Sequence, residues 1–355
     1  MEKGDKENRK LWEWFKKESL KEFEKMYRLL GVEFDAYAGE SDYEKDLAPT
    51  VVDLKKRGIA ETGEGGSVVA KLDKYGLPPA LIQKSDGASL YITRDIALLK
   101  DRIAKYKPEK ILYVVANQQA LHFQQLFAIA EMLGLNSAKL EHVKFGLVLG
   151  EDKKKLSTRE GNAVALEEVV SKAIKLARDI VEKKSAERGT SLSKKEKEEI
   201  AKTVAIGALK YQDLKEHRNS DIIFDWQRML DFAGNSGPYL QYTYARLMSI
   251  KKKAGKASEK TDFNLLTEKI ENSLMKRFLD FPDALSKVGE TNLPNHLALY
   301  LYELANLANQ FYETVPVIKD ENPDHRAARL ALVETTAAIL KTGLTLLGIK
   351  VLEKI

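Results

Sequence analysis

The sequence contains no cysteine. That excludes a disulfide framework, a zinc ribbon and a thiol nucleophile, and it fits a cytoplasmic address. Long hydrophobic runs are missing too. No stretch approaches the roughly 18 apolar residues that a membrane-spanning helix needs. The first residues, MEKGDKENRKLWEWFKKESL, are charged, so neither a secretory signal nor a membrane anchor is expected there. No charge of one sign dominates. Lys and Arg number 58 against 53 Asp and Glu, and the net charge of +5 permits a nucleic-acid partner without requiring one. There is no internal repeat and no low-complexity segment. What is present is ordinary globular material: 355 residues, 44% hydrophobic, which predicts two domains with a real core.

Periodicity divides the chain. Leu11, Trp14, Phe15, Leu20, Phe23, Met26, Tyr27 and Leu30 recur at helical spacing over residues 7–30, and Gly31 is a natural stop. A second helix is expected over 43–57, a turn over 61–66, and short strands in SVVAKL and PALIQK. Tyr91-Ile92 reads as a strand end before a helix over 94–106. ILYVVA at 111–116 is a continuous apolar run, as in a strand buried on both faces. A helix over 118–133 and a strand over 143–149 follow. This alternation predicts parallel βαβ units, a partial Rossmann-like sheet. Beyond residue 165 only helical patterns remain, over about 166–186, 193–215, 227–233, 237–254, 263–278, 295–312 and 324–346. The fold class is therefore α/β followed by all-α. Gly234, Asn235, Ser236 and Gly237 break the pattern and set a boundary between domains 1–233 and 234–355.

In open α/β sheets, ligands bind beyond the carboxyl ends of the strands. That rule selects Tyr91-Ile92-Thr93-Arg94-Asp95 and Asn117-Gln118-Gln119, where a carboxylate and an amide can converge on a small cationic group. A third place is Lys153-Lys154-Lys155-Leu156-Ser157-Thr158-Arg159, a basic, hydroxyl-bearing loop suited to phosphate oxygens. Each also has a purely structural reading. Asp95 suits a first helical turn, Gln119 a cap, Tyr91 a core position, and the lysine run a solvated loop. In the helical part, Tyr239, Tyr242 and Arg246 fall at i, i+3 and i+7 on one helix face. Aromatics beside a guanidinium suit the stacking of unpaired bases, though such stripes are also common in cores. Lys251, Lys252, Lys253 and Lys256 lie in or near a basic segment that could reach a phosphate backbone.

Four stretches in this order, YITRDIALLKDRIAKY, ILYVVANQQALHFQQLFAIAEMLG, FGLVLGEDKKKLSTREGN and GNSGPYLQYTYAR, resemble the arginyl-tRNA synthetase family. The resemblance covers nearly the whole chain. It implies activation of arginine by ATP with Mg2+ as substrate, followed by transfer to tRNA(Arg), with no structural metal. It implies that Asp95 pairs with the arginine guanidinium, with Tyr91 and Gln119 beside it. A planar cationic fork matches a carboxylate and fixed acceptors, which lysine's point charge does not. The resemblance also places His122 and Gln125 near ATP. KLSTR stands where class I synthetases carry KMSKS, so Lys155 and Ser157 would meet the ATP phosphates. Thr158 replaces the second lysine, which leaves Lys155 and then Arg159 as the catalytic cations. GPYLQYTYAR matches the anticodon-binding helix, which gives Tyr239, Tyr242 and Arg246 to the tRNA anticodon and leaves Tyr244 to packing. A cysteine-charging relative would need zinc-binding cysteines, which are absent.

The first class I signature, a His-Ile-Gly-His pair, has no counterpart. None of the five histidines, His122, His142, His217, His296 and His325, has that spacing. The resemblance thus implies the C-terminal portion of such an enzyme, without the first half of its ATP site or the N-terminal tRNA-elbow module. A gene fragment, one half of a split enzyme with a separate N-terminal polypeptide, and a non-catalytic tRNA-binding module all remain open. The retained Tyr91, Asp95 and Gln119 favour the ligase.

Overall fold

The structure, a computed structural model, describes residues 5–150, 165–187, 192–255 and 261–355. Contacts gather into two units, Met1–Gly146 and Leu147–Ile355.

The first unit opens with α1 (Lys6–Leu30), capped by the Asp5 carboxylate and ended by Gly31 at φ +64°. That angle is left-handed, which is why glycine sits there. No residue of α1 is buried, and Leu11, Trp14, Phe15 and Phe23 are exposed. After α2 (Glu44–Lys56) come β1 (Ala60–Thr62), β2 (Val68–Ala70) and β3 (Ala80–Gln83), an antiparallel sheet in the order β1-β2-β3. The turn expected at 61–66 is therefore shorter. Glu61 and Thr62 pair with Val69 and Val68, and Gly63–Ser67 makes the reversal.

Helix α3 (Tyr91–Tyr106) begins where a strand end was expected. Tyr91 and Ile92 favour strands locally, but Ile92, Ile96 and Leu99 continue one apolar stripe and are all buried. That tertiary burial decides for helix. Thr93 locks the helix down, its hydroxyl donating to the Ile82 carbonyl of β3. β4 (Lys110–Ala116), α4 (Ala120–Met132) and β5 (Lys139–Phe145) then form one βαβ unit, with β4 and β5 parallel in register from Lys110↔Lys139 to Ala116↔Phe145. These are the only paired strands of that sheet among the described residues. The core joins both sheets through residues such as Leu54, Leu72, Ile82, Leu126 and Ile129.

In the second unit, β6 (Val148–Leu149) pairs in parallel with β7 (Ile222–Ile223), a contact across 74 residues that sequence patterning does not reveal. α5 (Leu166–Glu187) and α6 (Lys194–Leu214) pack through Ala173, Ala177, Ala201, Ala205 and Ala208, small side chains that let helices approach closely. Ser193 and Glu196 form a capping box at the start of α6. α7 (Trp226–Met229) is a single turn. α8 (Gly237–Ala254) starts at Ser236, whose side chain accepts from the Tyr239 amide, with Pro238 in the first turn. Gly237 is required by contact, since a Cβ there would lie 2.5 Å from the Gly207 carbonyl oxygen of α6. α9 (Lys269–Leu279), α10 (Phe281–Thr291), α11 (Asn295–Thr314) and α12 (Pro323–Leu346) complete the bundle around Leu240, Leu274, Leu301, Leu304, Leu340 and Leu344. α10 falls between the helices expected over 263–278 and 295–312 and has no counterpart in the sequence reading. Pro282 occupies the first turn, where its missing N–H costs nothing.

Candidate functional site

Asp95 stands one helical turn beyond Tyr91 on α3, so both side chains share a face. Gln119 is the N-cap position of α4, after the short turn Asn117–Gln119 that leaves the carboxyl end of β4. His122 follows in the first turn of α4. The structure joins the two expected clusters through one bond: the His122 Nε2 lies 2.6 Å from Asp95 Oδ2. An ionised carboxylate only accepts, so Nε2 is the donor. The two side chains are 23% and 25% exposed, and Tyr91 is 67% exposed. The site thus opens to solvent while its carboxylate is held from behind.

The support is aromatic. His122 sits edge-on to Phe123, with ring centroids 5.2 Å apart. Phe123 is buried and contacts Tyr113 of β4 at 5.0 Å and His142 of β5 at 4.5 Å. Burial pushes the Tyr113 phenol up. His142 Nε2 lies 2.9 Å from the Val115 carbonyl oxygen, near the end of β4. Gln125 donates to the Pro78 and Pro79 carbonyls at 3.0 and 3.3 Å, which ties α4 to the loop before β3. Arg94 forms an ion pair with Glu40 at 3.2 Å. Lys155, Ser157 and Arg159, with the rest of the KLSTR loop, lie outside the described residues.

On α8 the three expected positions separate into two environments. Tyr239 turns toward α11. Its hydroxyl donates to Asn306 at 2.7 Å and accepts from Asn309 at 3.0 Å, and burial pushes its phenol up. Tyr242 and Arg246 instead build a stack. The Arg246 guanidinium lies 5.0 Å from the centroid of Tyr242 and 5.2 Å from that of Tyr312. Its Nη1 donates to Asn309 at 3.0 Å. Lys184 of α5 extends the series, 4.8 Å from the Phe232 ring and 5.7 Å from Tyr242. A cavity of about 300 Å³ opens beside Tyr242, Arg246, Lys253, Tyr312 and Lys354. Sequence reading missed Phe232, Lys184 and Tyr312, which come from distant segments with no local signal. Tyr244 is buried, as expected. Lys251 pairs with Glu334 at 3.1 Å, and Lys256 lies outside the described residues.

Among the described residues, no group of three or more His, Cys, Asp or Glu side chains could hold a metal, and no helix is long and apolar enough to cross a membrane. A parallel βαβ unit followed by a helical bundle is consistent with the catalytic portion of a class I aminoacyl-tRNA synthetase followed by an anticodon-binding bundle. Family profiles agree. That of class I (R) tRNA synthetases, catalytic domain, matches residues 1–226, and that of the DALR anticodon binding domain matches 240–355. The chain belongs to the arginyl-tRNA synthetase family. It is 42% identical to the arginine–tRNA ligase of Halothermothrix orenii, over all of this chain and 61% of that protein. It is 43% identical to that of Clostridium perfringens, over all of this chain and 62% of the relative. The crystal structure of arginyl-tRNA synthetase from Plasmodium falciparum superimposes with a TM-score of 0.86 at 28% identity, covering 99% of this chain and 60% of that one. The Thermus thermophilus arginyl-tRNA synthetase gives 0.81 at 26%, covering 92% and 61%. The chain thus spans about 61% of the length of the curated relatives it matches, in their C-terminal portion.

Proposed function

We propose that this chain carries the arginine-recognition and anticodon-reading parts of an arginine–tRNA ligase. The observation that carries the reading is the Asp95 carboxylate, held by His122 and partly open to solvent one helical turn from the exposed Tyr91. Asp95 pairs with the guanidinium of arginine. Tyr91 and Gln119 close around the substrate. Lys155 and Ser157 meet the phosphates of ATP, which enters with Mg2+ as substrate, and Arg159 supplies a second cation. Magnesium is held mainly through those phosphates. His122 and Gln125 lie toward the nucleotide, from α4.

Residues 1–233 do the activation chemistry and 234–355 bind tRNA(Arg), with Tyr239, Tyr242 and Arg246 at the anticodon. The cytoplasm, where tRNA and ATP meet, is the working compartment.

The chain alone forms no arginyl-adenylate at a useful rate, because the remaining length of the relatives is needed to complete the ATP site. Two open apolar faces support this. Leu112 and Val114 of β4 are 43% and 65% exposed, yet parallel strands are ordinarily covered on both faces. The α1 stripe is the other. Arginine-dependent pyrophosphate exchange tests the reading. It is absent with the chain alone and appears once the N-terminal portion of a relative is added. A steady signal from the chain alone refutes the dependence. No signal in either case, with tRNA binding intact, favours a non-catalytic tRNA-binding module.

A further inference from the structure

We propose that His122 is a positioning residue for Asp95, fixing the plane of the carboxylate before arginine arrives; this rests on the reading of Asp95 as the guanidinium contact. Asp95 is the fifth residue of α3. It lies beyond the first four residues, whose free N–H groups could hold a carboxylate. A carboxylate there, 25% exposed, would otherwise sample several orientations in water. Among the described residues the side-chain bond that holds it comes from another helix, 27 residues away in sequence: the 2.6 Å contact from His122 Nε2 to Oδ2. Among the described residues Oδ1 takes no hydrogen bond, and each carboxylate oxygen has two lone pairs. The imidazole can therefore stay in place while a guanidinium takes the remaining acceptor sites.

His122 is itself restrained. Its ring stands at 85° to Phe123, and Phe123 is clamped between Tyr113 and His142 in the core. The rigidity of the βαβ core thus reaches the carboxylate through two side chains. A planar fork is sensitive to the plane of its partner, whereas an ammonium is a point charge and is not. Fixing that plane in advance removes an ordering cost from arginine binding. Specificity for guanidinium over ammonium then depends on His122 as well as on Asp95.

The test is equilibrium binding of radiolabelled arginine to the full chain, with melting temperature recorded for each variant. His122→Ala is expected to weaken arginine about tenfold without changing the melting temperature. His122→Gln, which keeps a donor, should stay within about threefold of the parent. Asp95→Ala should abolish binding to the same level with or without His122→Ala, since the imidazole acts only through the carboxylate. If His122→Ala binds arginine like the parent, or if Gln fails to rescue, the positioning role is overturned and the Asp95 reading survives. If the parent chain binds no arginine, both fall. Should His122→Ala melt early, the His122→Gln affinity decides alone, and a loss well beyond threefold overturns the proposal.

Discussion

Arg246 lies over the ring of its neighbour one turn back, Tyr242, at 5.0 Å, and over that of Tyr312 at 5.2 Å. A guanidinium over two rings is a cation–π arrangement, and it lines a cavity that Lys253 and Lys354 also line. Stacking on such a surface contributes about 1–3 kcal/mol per base. Tyr242→Ala is therefore expected to weaken binding of the tRNA(Arg) anticodon stem-loop roughly tenfold, as measured by fluorescence anisotropy. Arg246→Lys keeps the charge but loses the planar stack, and should fall between Tyr242→Ala and the parent. Tyr244→Phe, in the core, should bind normally.

The bundle contains a buried charge cluster with no part in the proposed chemistry. Arg329 donates from Nε to Glu271 at 2.7 Å and from Nη1 to the Pro316 carbonyl at 3.0 Å and to Asp320. Glu271 is fully buried and Arg329 nearly so. Removing one partner leaves an uncompensated buried charge, at about 3–5 kcal/mol. Arg329→Met should cost that much in urea unfolding. Joining it to Glu271→Leu should recover part of the loss, since the two positions are coupled. A loss in the double variant equal to the sum of the two single-variant losses would show that the pair is not coupled.

Tyr300 makes alkaline stability predictable. Its phenol is pushed up to about 12, chiefly by burial, with Arg277 pulling the other way. The neutral hydroxyl donates to the Arg277 carbonyl at 2.8 Å, a bond that phenolate cannot make. The folded value lies above the ordinary phenol value of 10.0. The contribution is therefore complete below pH 10 and is lost as pH rises to about 12, because the unfolded chain ionises first. Melting temperature should drop across that window, and Tyr300→Phe should make the drop shallower. Tyr300 ionising near pH 10, followed by absorbance at 295 nm against Tyr300→Phe, would contradict this.

Local rules carried far along this chain. The stop at Gly31 and the start of α8 after the break at Gly234, Asn235, Ser236 and Gly237 lie where the sequence pattern puts them. Gln119 could be placed from sequence at the carboxyl end of β4 by a rule of topology, whereas Asp95 was reached through a strand end at Tyr91 that is in fact the start of α3. What stayed hidden depends on pairing at a distance. His122 meets Asp95 across 27 residues, Val148 pairs with Ile222, and Tyr312 reaches Arg246 from another helix. Tyr91 misled because a β-favouring pair at a helix start looks like a strand until its buried continuation through Ile96 and Leu99 is seen.

The central claim is that Asp95 selects arginine for attachment to tRNA. The direct measurement is charging of total tRNA with labelled arginine by this chain together with the N-terminal portion of a relative, comparing the parent with Asp95→Ala. The account predicts charging by the parent and a loss of at least a hundredfold in the variant, with affinity for tRNA unchanged within about twofold. A loss of two orders of magnitude corresponds to about 2.7 kcal/mol, within the range for one charge-assisted contact. Charging by Asp95→Ala at the parent's rate would contradict it.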